Sequence, residues 1–379
     1  MNNKIKILWV IYDFVQAGGQ RYAYEIAKKI NKDKFQIDFL RMNTVQEKGF
    51  DKDFYLQPTL NLGSRVFKYS DFFDYSNRFK EKVRSYLTGN RNDRLHSLII
   101  FLESYDVVHF NGVNVYDALS IRNSLRLKNE VISILTGKFQ GIDIYKKYDK
   151  NKRYSFVSGF EKRIRECEFD EFENIEHTYF PLSVEIDSFD RLPASYEKQV
   201  IAVFTRISAM KPLEPYFFGI KLLKEKGIDV ELHIYGAGDP YKSGLIRKLK
   251  YLYLEDVVKF RGHVPNLKEC LKKEPIDVVW FQSTDGQVAG YSSIEISFSG
   301  LPQVLWDFNF LGTQQEETEI FPSYTSINSF VNKTEELLKS EDKREYLGNI
   351  QRDFVAEKYS IDKNISILEE LYIDIATKN

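Results

Sequence analysis

The chain has 379 residues, 43% of them hydrophobic, which is too long for one ordinary core and sufficient for two domains. Its 54 Lys and Arg against 55 Asp and Glu leave a formal net charge of -1, so no global basic field points to nucleic acid as a partner. Cys167 and Cys270 stand far apart without metal-ligand spacing and read as two reduced structural thiols in the cytoplasm, not a disulfide framework.

The opening run, residues 5–12, is apolar but broken by Lys6 and followed by Asp13, with no small-residue cleavage site. It reads as a buried first strand and not as an export signal. No apolar run approaches the roughly 18 residues of a membrane helix. A loop with Gly18-Gly19 follows, then a helical pattern carried by Tyr22, Ile26, Ala27 and Ile30. Further strands are predicted over residues 35–40, 106–110, 131–135 and 154–157. The stretch 188–197, with Pro193 and mixed charge, reads as a linker.

The pattern then restarts. Strands are predicted over 199–204, 230–235, 257–260, 277–281 and 303–305, with helices over about 213–226, up to 254, up to 273, and about 292–299. Strands alternating with helices predict parallel sheets covered on both faces. The expected fold is α/β: two Rossmann-like, doubly wound domains facing a central cleft. Ligands are expected at the carboxyl ends of the strands.

The loops after strands therefore carry the candidate chemistry. Arg206 and Lys211 follow the strand ending at Phe204, where two cations suit a diphosphate; a solvated loop is the competing reading. Glu295 sits one turn into a helix, placed to accept both hydroxyls of a ribose, or simply favoured there by the helix dipole. The start of that helix, Gly290 to Ser293, presents free N–H groups to a phosphate. Gly18 and Gly19 allow close backbone approach to a ligand but do not form a GxGxxG fingerprint, which disfavours a plain dinucleotide dehydrogenase. His109 ends a predicted strand on the cleft side, with a satisfied structural histidine as the alternative. Asp51-Lys52-Asp53 formally matches DxD but lies in a polar stretch and reads as a solvated loop.

Together these segments resemble family 4 of the retaining glycosyltransferases, which have the GT-B fold. Arg206-Ile207-Ser208-Ala209-Met210-Lys211 looks like that family's R-x4-K diphosphate clamp, and Ile234 to Pro240, with Gly236, like its G-x-G-P segment. Val258 to Val264, with His263 and Val264, looks like the strand and turn near the nucleobase. Glu295 through Pro302 looks like the second half of E-x7-E followed by G-x-P. Residues 358–372 look like a closing helix that crosses back to the N-terminal domain. In the first half, Gly18-Gly19-Gln20-Arg21 resembles the glycine loop, and Val107 to Gly112 the strand with a terminal His. Two positions depart from the pattern. Gln287 stands where the first Glu is usual, unless a two-residue insertion makes Asp285-Gly286 its equivalent. Thr136 stands where the family often has a His near the transferred sugar.

The resemblance implies an acceptor-side domain over 1–190, a nucleotide-sugar domain over 191–357 and a crossing helix over 358–379. It implies transfer of a sugar from a UDP- or GDP-linked donor to a glycan, lipid-linked or protein hydroxyl, with retention, without a metal or other cofactor, in the cytoplasm. Arg206, Lys211 and Glu295 would carry the reaction. Gly18, Gly19, Gly236, His263, Val264, Asp285, Gln287, Gly290, Tyr291 and Ser292 would bind the donor, and His109 and Thr136 would lie on the acceptor or sugar side. The changes at Thr136 and Gln287 motivate an alternative, a catalytically silent subunit that binds acceptor or a partner transferase; a homo-oligomer is a further expectation. The basic and aromatic residues between Ser64 and Arg94 suggest peripheral contact with an anionic membrane or a partner, at the inner face of the membrane, against the alternative of a core-packed amphipathic helix.

Overall fold

A computed structural model describes residues 4–42, 53–72, 93–118, 127, 129–134, 154–159, 175–192, 198–208, 211–283, 290–307 and 320–377. They divide into two compact units: residues 1–185 with 361–379, and residues 186–360.

The first unit is built from β1 (Ile5–Ile11), α1 (Gly18–Lys29), β2 (Phe35–Arg41), α2 (Leu56–Asn61), β3 (Val66–Lys68), α3 (Asp93–Glu103), β4 (Val107–Phe110), α4 (Val113–Ala118), β5 (Glu130–Ile134), β6 (Tyr154–Ser158) and β7 (Ile175–Tyr179). Its strands form one parallel sheet in the order β3-β2-β1-β4-β5-β6-β7. β1 lies at the centre, and Ile7, Leu8, Trp9 and Val10 are fully buried. A strand covered on both faces needs such an unbroken apolar run. Gly18 and Gly19 are the first two residues of α1, where a loop was expected. Two strands escape the hydrophobic pattern: β3 is a three-residue edge, and β7 (IEHTY) mixes polar with apolar residues at the other edge.

The expected membrane-facing segment is described only in part. There its aromatic residues pack inward: Phe67 and Phe72 each lie 4.8 Å from the Phe101 ring of α3. Arg65 donates to buried Asp38 through Nη2 at 2.6 Å and Nε at 3.2 Å. That partner, with the Tyr105 hydroxyl at 3.0 Å, holds the Asp38 carboxyl below its ordinary range against the cost of burial. Residues 73–92 lie outside the described residues. No described helix is long and apolar enough to cross a membrane.

The second unit comprises β8 (Gln199–Phe204), α5 (Glu214–Glu225), β9 (Val230–Tyr235), α6 (Leu245–Leu252), β10 (Val258–Gly262), α7 (Leu267–Leu271), β11 (Val278–Ser283), α8 (Tyr291–Phe298), β12 (Gln303–Asp307), β13 (Ser323–Tyr324), α9 (Ile327–Leu338) and α10 (Glu341–Lys358). The sheet is again parallel, in the order β10-β9-β8-β11-β12-β13. Helix α5 buries Tyr216, Phe217, Ile220 and Leu223 at helical spacing. Gly219 lets it settle on the sheet, since a Cβ there would lie 3.0 Å from the Trp280 ring. Trp280 stacks on Tyr216 and donates its indole N–H to Thr334 Oγ1 at 2.9 Å, so a large apolar side chain is buried without an orphaned donor.

The segment read as a linker packs on this unit where it is described. Leu192 N–H donates to Leu271 O at 3.1 Å, and Lys268 pairs with Asp187 at 2.8 Å. Helix α10 ends at Lys358, and Tyr359-Ser360 separate it from the closing helix α11 (Ile361–Thr377), which belongs to the first unit. Ile361 N–H donates to Val184 O at 2.9 Å, Lys29 pairs with Asp362 at 2.9 Å, and Glu369 accepts from Asn31 N–H at 2.8 Å.

Candidate functional site

The strand order of the second unit fixes where a ligand fits. The chain runs from β8 outward to β9 and β10, then returns to the other side of β8 as β11. Loops leaving β8 and β11 therefore diverge and leave a crevice at their carboxyl ends, the switch point at which open α/β sheets bind ligands. A cavity of about 530 Å³ opens there. Its lining includes Thr205, Arg206, Ser208 and Lys211 from the β8 loop, Gln282 from the end of β11 and Ser292 from the first turn of α8, over a floor that includes Trp280. Among these described lining residues both charges are positive. The cavity thus suits an anion.

The position of Arg206 comes from backbone geometry. Thr205 N–H donates to Tyr235 O at 2.9 Å and Ile207 N–H to Ala237 O at 2.8 Å, which extends the β8–β9 pairing past both strand ends. Arg206 sits between these two anchors and is exposed. The approach needs glycines on the β9 side. A Cβ at Gly236 would lie 1.7 Å from Thr205 O, and one at Gly238, whose φ is +135°, would lie 2.3 Å from Ile207 O. Gly236, expected among the donor-binding residues, has a structural reason to lack a side chain, since its absence admits the Arg206 loop. On the far side of that loop, Lys211 N–H donates to Ser208 O at 3.0 Å, and Gln282 Nε2 donates to Pro212 O at 3.0 Å.

Helix α8 supplies the third wall. Its N-cap is Gly290, at φ +91° and ψ 171°, and no side chain caps the first turn. A non-glycine residue would be strained there. The N–H groups of the first turn, which have no partner within the helix, belong to a segment whose Ser292 lines the cavity. Tyr291 is buried, and Glu295 is half-buried one turn further on. Gly236, Tyr291, Glu295, His263 and Val264 do not line the cavity; His263 is exposed and Val264 half-buried after β10. Asp285, Gln287 and Thr136 lie outside the described residues, so the departures from the family pattern are not placed.

The first unit repeats the topology, with its switch point between β1 and β4. Gly18 and Gly19 begin α1 there, and Asn111, the residue after β4, donates its Nδ2 to Gly19 O at 2.9 Å. Asn111 Oδ1 is buried and has no hydrogen-bond partner among the described residues. The sequence reading passed over Asn111 in favour of His109, although its place directly after a strand was the usable signal. His109 itself is fully buried and stacks on Trp9 with ring centroids 3.8 Å apart. Its Nδ1 lies 2.6 Å from the Tyr372 hydroxyl on α11 and its Nε2 2.6 Å from Ser133 Oγ on β5. Burial pushes its pKa well below the ordinary histidine range, so the ring is neutral. This geometry makes His109 a tie between the sheet and the closing helix.

Elsewhere, Asp53 of the DxD stretch pairs with Arg41 Nη2 at 2.8 Å, while Asp51 and Lys52 lie outside the described residues. Cys270 is a free, half-buried thiol whose pKa burial pushes up to about 11.

With this geometry in view, comparisons with known proteins are specific. Residues 185–354 match the family described as glycosyl transferases group 1. No curated protein matches the chain. Among solved structures, HepE of Anabaena in complex with UDP-glucose superposes with a TM-score of 0.68 at 13% identity, over 97% of this chain and 99% of that one. A TarM variant of S. aureus, in complex with fondaparinux, α-GlcNAc-glycerol and UDP, gives 0.70 at 13% identity over 97% and 99%. Sucrose-phosphate synthase of Thermosynechococcus elongatus gives 0.66 at 11% identity over 99% and 100%. At such identities the likeness establishes the fold. Residues 185–354 thus match a glycosyl transferases group 1 domain, and the chain as a whole has the GT-B fold of these neighbours.

Proposed function

We propose that the protein transfers a sugar from a nucleoside diphosphate sugar, UDP- or GDP-linked, to a hydroxyl of a glycan, lipid-linked or protein acceptor, with retention at the anomeric carbon. The observation that carries this reading is the pairing of Arg206 and Lys211 in one cavity at the switch point of the second unit. HepE with UDP-glucose and TarM with UDP share the fold and support a uridine donor.

In this reading the bond from the anomeric carbon to the diphosphate oxygen breaks, and the diphosphate leaves with the electron pair. Negative charge grows on that oxygen in the transition state, which is where two fixed cations act most strongly. Arg206 and Lys211 are the catalytic residues in this sense. The first-turn N–H groups of α8 add a partial positive charge to the same region. Glu295 holds the ribose hydroxyls, His263 and Val264 lie towards the base, and Gln287 or Asp285 contacts the sugar. The acceptor oxygen bonds to the anomeric carbon on the face the diphosphate leaves, and its proton passes to the departing phosphate oxygen. No protein base is required.

Titration calorimetry with UDP and GDP tests the cavity assignment. Arg206→Ala and Lys211→Ala should each weaken binding by about 10- to 100-fold, the value of a charge-assisted hydrogen bond of roughly 1.5–3 kcal/mol. Wild-type affinity in both variants would remove the clamp from the model.

A further inference from the structure

Helix α8 begins without the usual local end signals. It is eight residues long, its first turn contains no acidic residue, and its N-cap is a glycine without a capping side chain. Its buried residues are Tyr291, Ser293, Ile294, Ile296, Ser297 and Phe298, so two serines are buried among the apolar side chains. Those serines meet the fully buried Gln303, which is held in turn by a second fully buried glutamine, Gln351. Ser293 Oγ donates to Gln303 Oε1 at 2.6 Å. Gln303 Nε2 donates to Ser293 O at 2.9 Å and to Ser297 Oγ at 2.8 Å. The backbone N–H of Gln303 donates to Gln351 Oε1 at 2.8 Å, and Gln351 Nε2 donates back to Gln303 O and to Ile320 O, each at 2.9 Å. Both glutamine amides therefore use both donors and an acceptor.

The network joins the first turn of α8 to the start of β12 and to the middle of α10. At the other end of α8 the turn is jammed by backbone contact: a Cβ at Gly348 of α10 would lie 1.8 Å from Gly300 O. Apolar contacts hold a helix at a distance from its sheet but allow it to slide or rotate. Directional bonds to a backbone carbonyl in the first turn fix both movements. Ser292, next to Ser293, lines the cavity, so whatever sets Ser293 sets that wall.

We propose that Gln303, held by Gln351, is a positioning residue for the transfer reaction. It fixes the first turn of α8, through Ser293, at the place where the donor diphosphate is bound. This rests on the reading that the cavity beside Arg206 binds the nucleoside diphosphate. The alternative is that the network only satisfies buried polar groups and contributes to stability alone.

The test compares binding with stability in the full chain. Ser293→Ala and Gln303→Leu are titrated with UDP and GDP by calorimetry, beside thermal unfolding and an Arg206→Ala control. A third variant combines Ser293→Ala, Ser297→Ala and Gln303→Leu, which leaves none of these side-chain polar groups buried without a partner and so regains part of the lost melting temperature. Each single variant should bind the nucleotide about tenfold more weakly, since displacements below an ångström at a phosphate contact are felt on that scale. The triple variant should stay about tenfold weak although its melting temperature rises again. Affinity that returns together with the melting temperature, or single variants that bind as wild type, would overturn the proposal. If Arg206→Ala weakens binding and Ser293→Ala does not, the cavity reading stands and only the positioning role falls. If the wild type binds neither nucleotide, both fall.

Discussion

A single methyl group at Gly236 probes the link between fold and chemistry. The Cβ of Gly236→Ala would start 1.7 Å from Thr205 O and 2.7 Å from Thr205 C, both backbone atoms. Relief to the closest separation that real Cβ atoms show, 3.0 Å, moves the Thr205 peptide by about 1.3 Å. That peptide lies within two hydrogen bonds, Thr205 N–H to Tyr235 O and Ile207 N–H to Ala237 O, and losing both costs about 1–3 kcal/mol. In a unit of this size each kcal/mol lowers the melting temperature by roughly 2–4 °C. Arg206 is carried along, and a misplacement of about 1 Å costs on the order of a hundredfold in rate. Thermal unfolding, UDP calorimetry and donor turnover measure the three effects. Gly227→Ala is the control: at φ +79° it is strained, but nothing lies within 4 Å of its Cβ, so it should lose stability without losing nucleotide affinity. If Gly236→Ala binds UDP or GDP and turns over as wild type, the backbone argument for placing Arg206 is wrong.

The other predictions address separate parts of the account. Glu295→Ala should lower donor affinity by about 10- to 100-fold and slow transfer, as expected for losing a charged acceptor of two ribose hydroxyls, and steady-state kinetics would show both changes. Gln287→Glu should alter which donor is preferred without abolishing turnover, read from competition between UDP- and GDP-sugars. Stability should fall as pH drops below about 6.5, the free histidine value, because the unfolded chain takes up protons that the folded chain refuses. Burial holds His109 well below that value and His177 at about 4. Each histidine contributes at most about 1.4 kcal/mol per pH unit in the window between its unfolded and folded pKa. Buried Glu25 and Asp277, whose carboxyl pKa values are raised by desolvation, act in the opposite sense nearer the carboxylate range, so the histidine effect is read between pH 7.5 and 5.5. A flat urea midpoint over that interval would contradict it.

Much of this was legible in the chain because both sheets are parallel. Strands such as β1 and β8 are buried on both faces, so they appear as unbroken apolar runs, and loops such as 205–211 inherit their place from the strand before them. Arg206 and Lys211 were therefore visible as cations following a strand, and they meet in the cavity. The two- and three-residue edge strands β13 and β3 were not visible, since a short edge needs no hydrophobic period. Gly236 was grouped with the donor-binding residues by resemblance, and nothing local announced that Thr205 closes on it. Only the strand pairing reveals that. His109 was seen as a strand-terminal histidine, but Tyr372 stands at the other end of the sequence, and no local pattern announces such a partner. Gln303 and Gln351 gave no signal either; a glutamine at the start of a strand looks polar until the serines beneath it are found.

The central claim is that the cavity between β8 and β11 binds a nucleotide sugar whose diphosphate leaves towards Arg206 and Lys211. Mass spectrometry of reactions containing a library of UDP- and GDP-sugars with glycan, lipid-linked and protein acceptors tests it most directly, with wild type and Arg206→Ala side by side. The account predicts that the wild type consumes at least one donor and yields an acceptor heavier by one sugar, with product formation reduced by about 10- to 100-fold or more in Arg206→Ala. A wild-type protein that binds UDP or GDP tightly while no donor is consumed with any acceptor would contradict it, as would an Arg206→Ala variant that turns over at the wild-type rate.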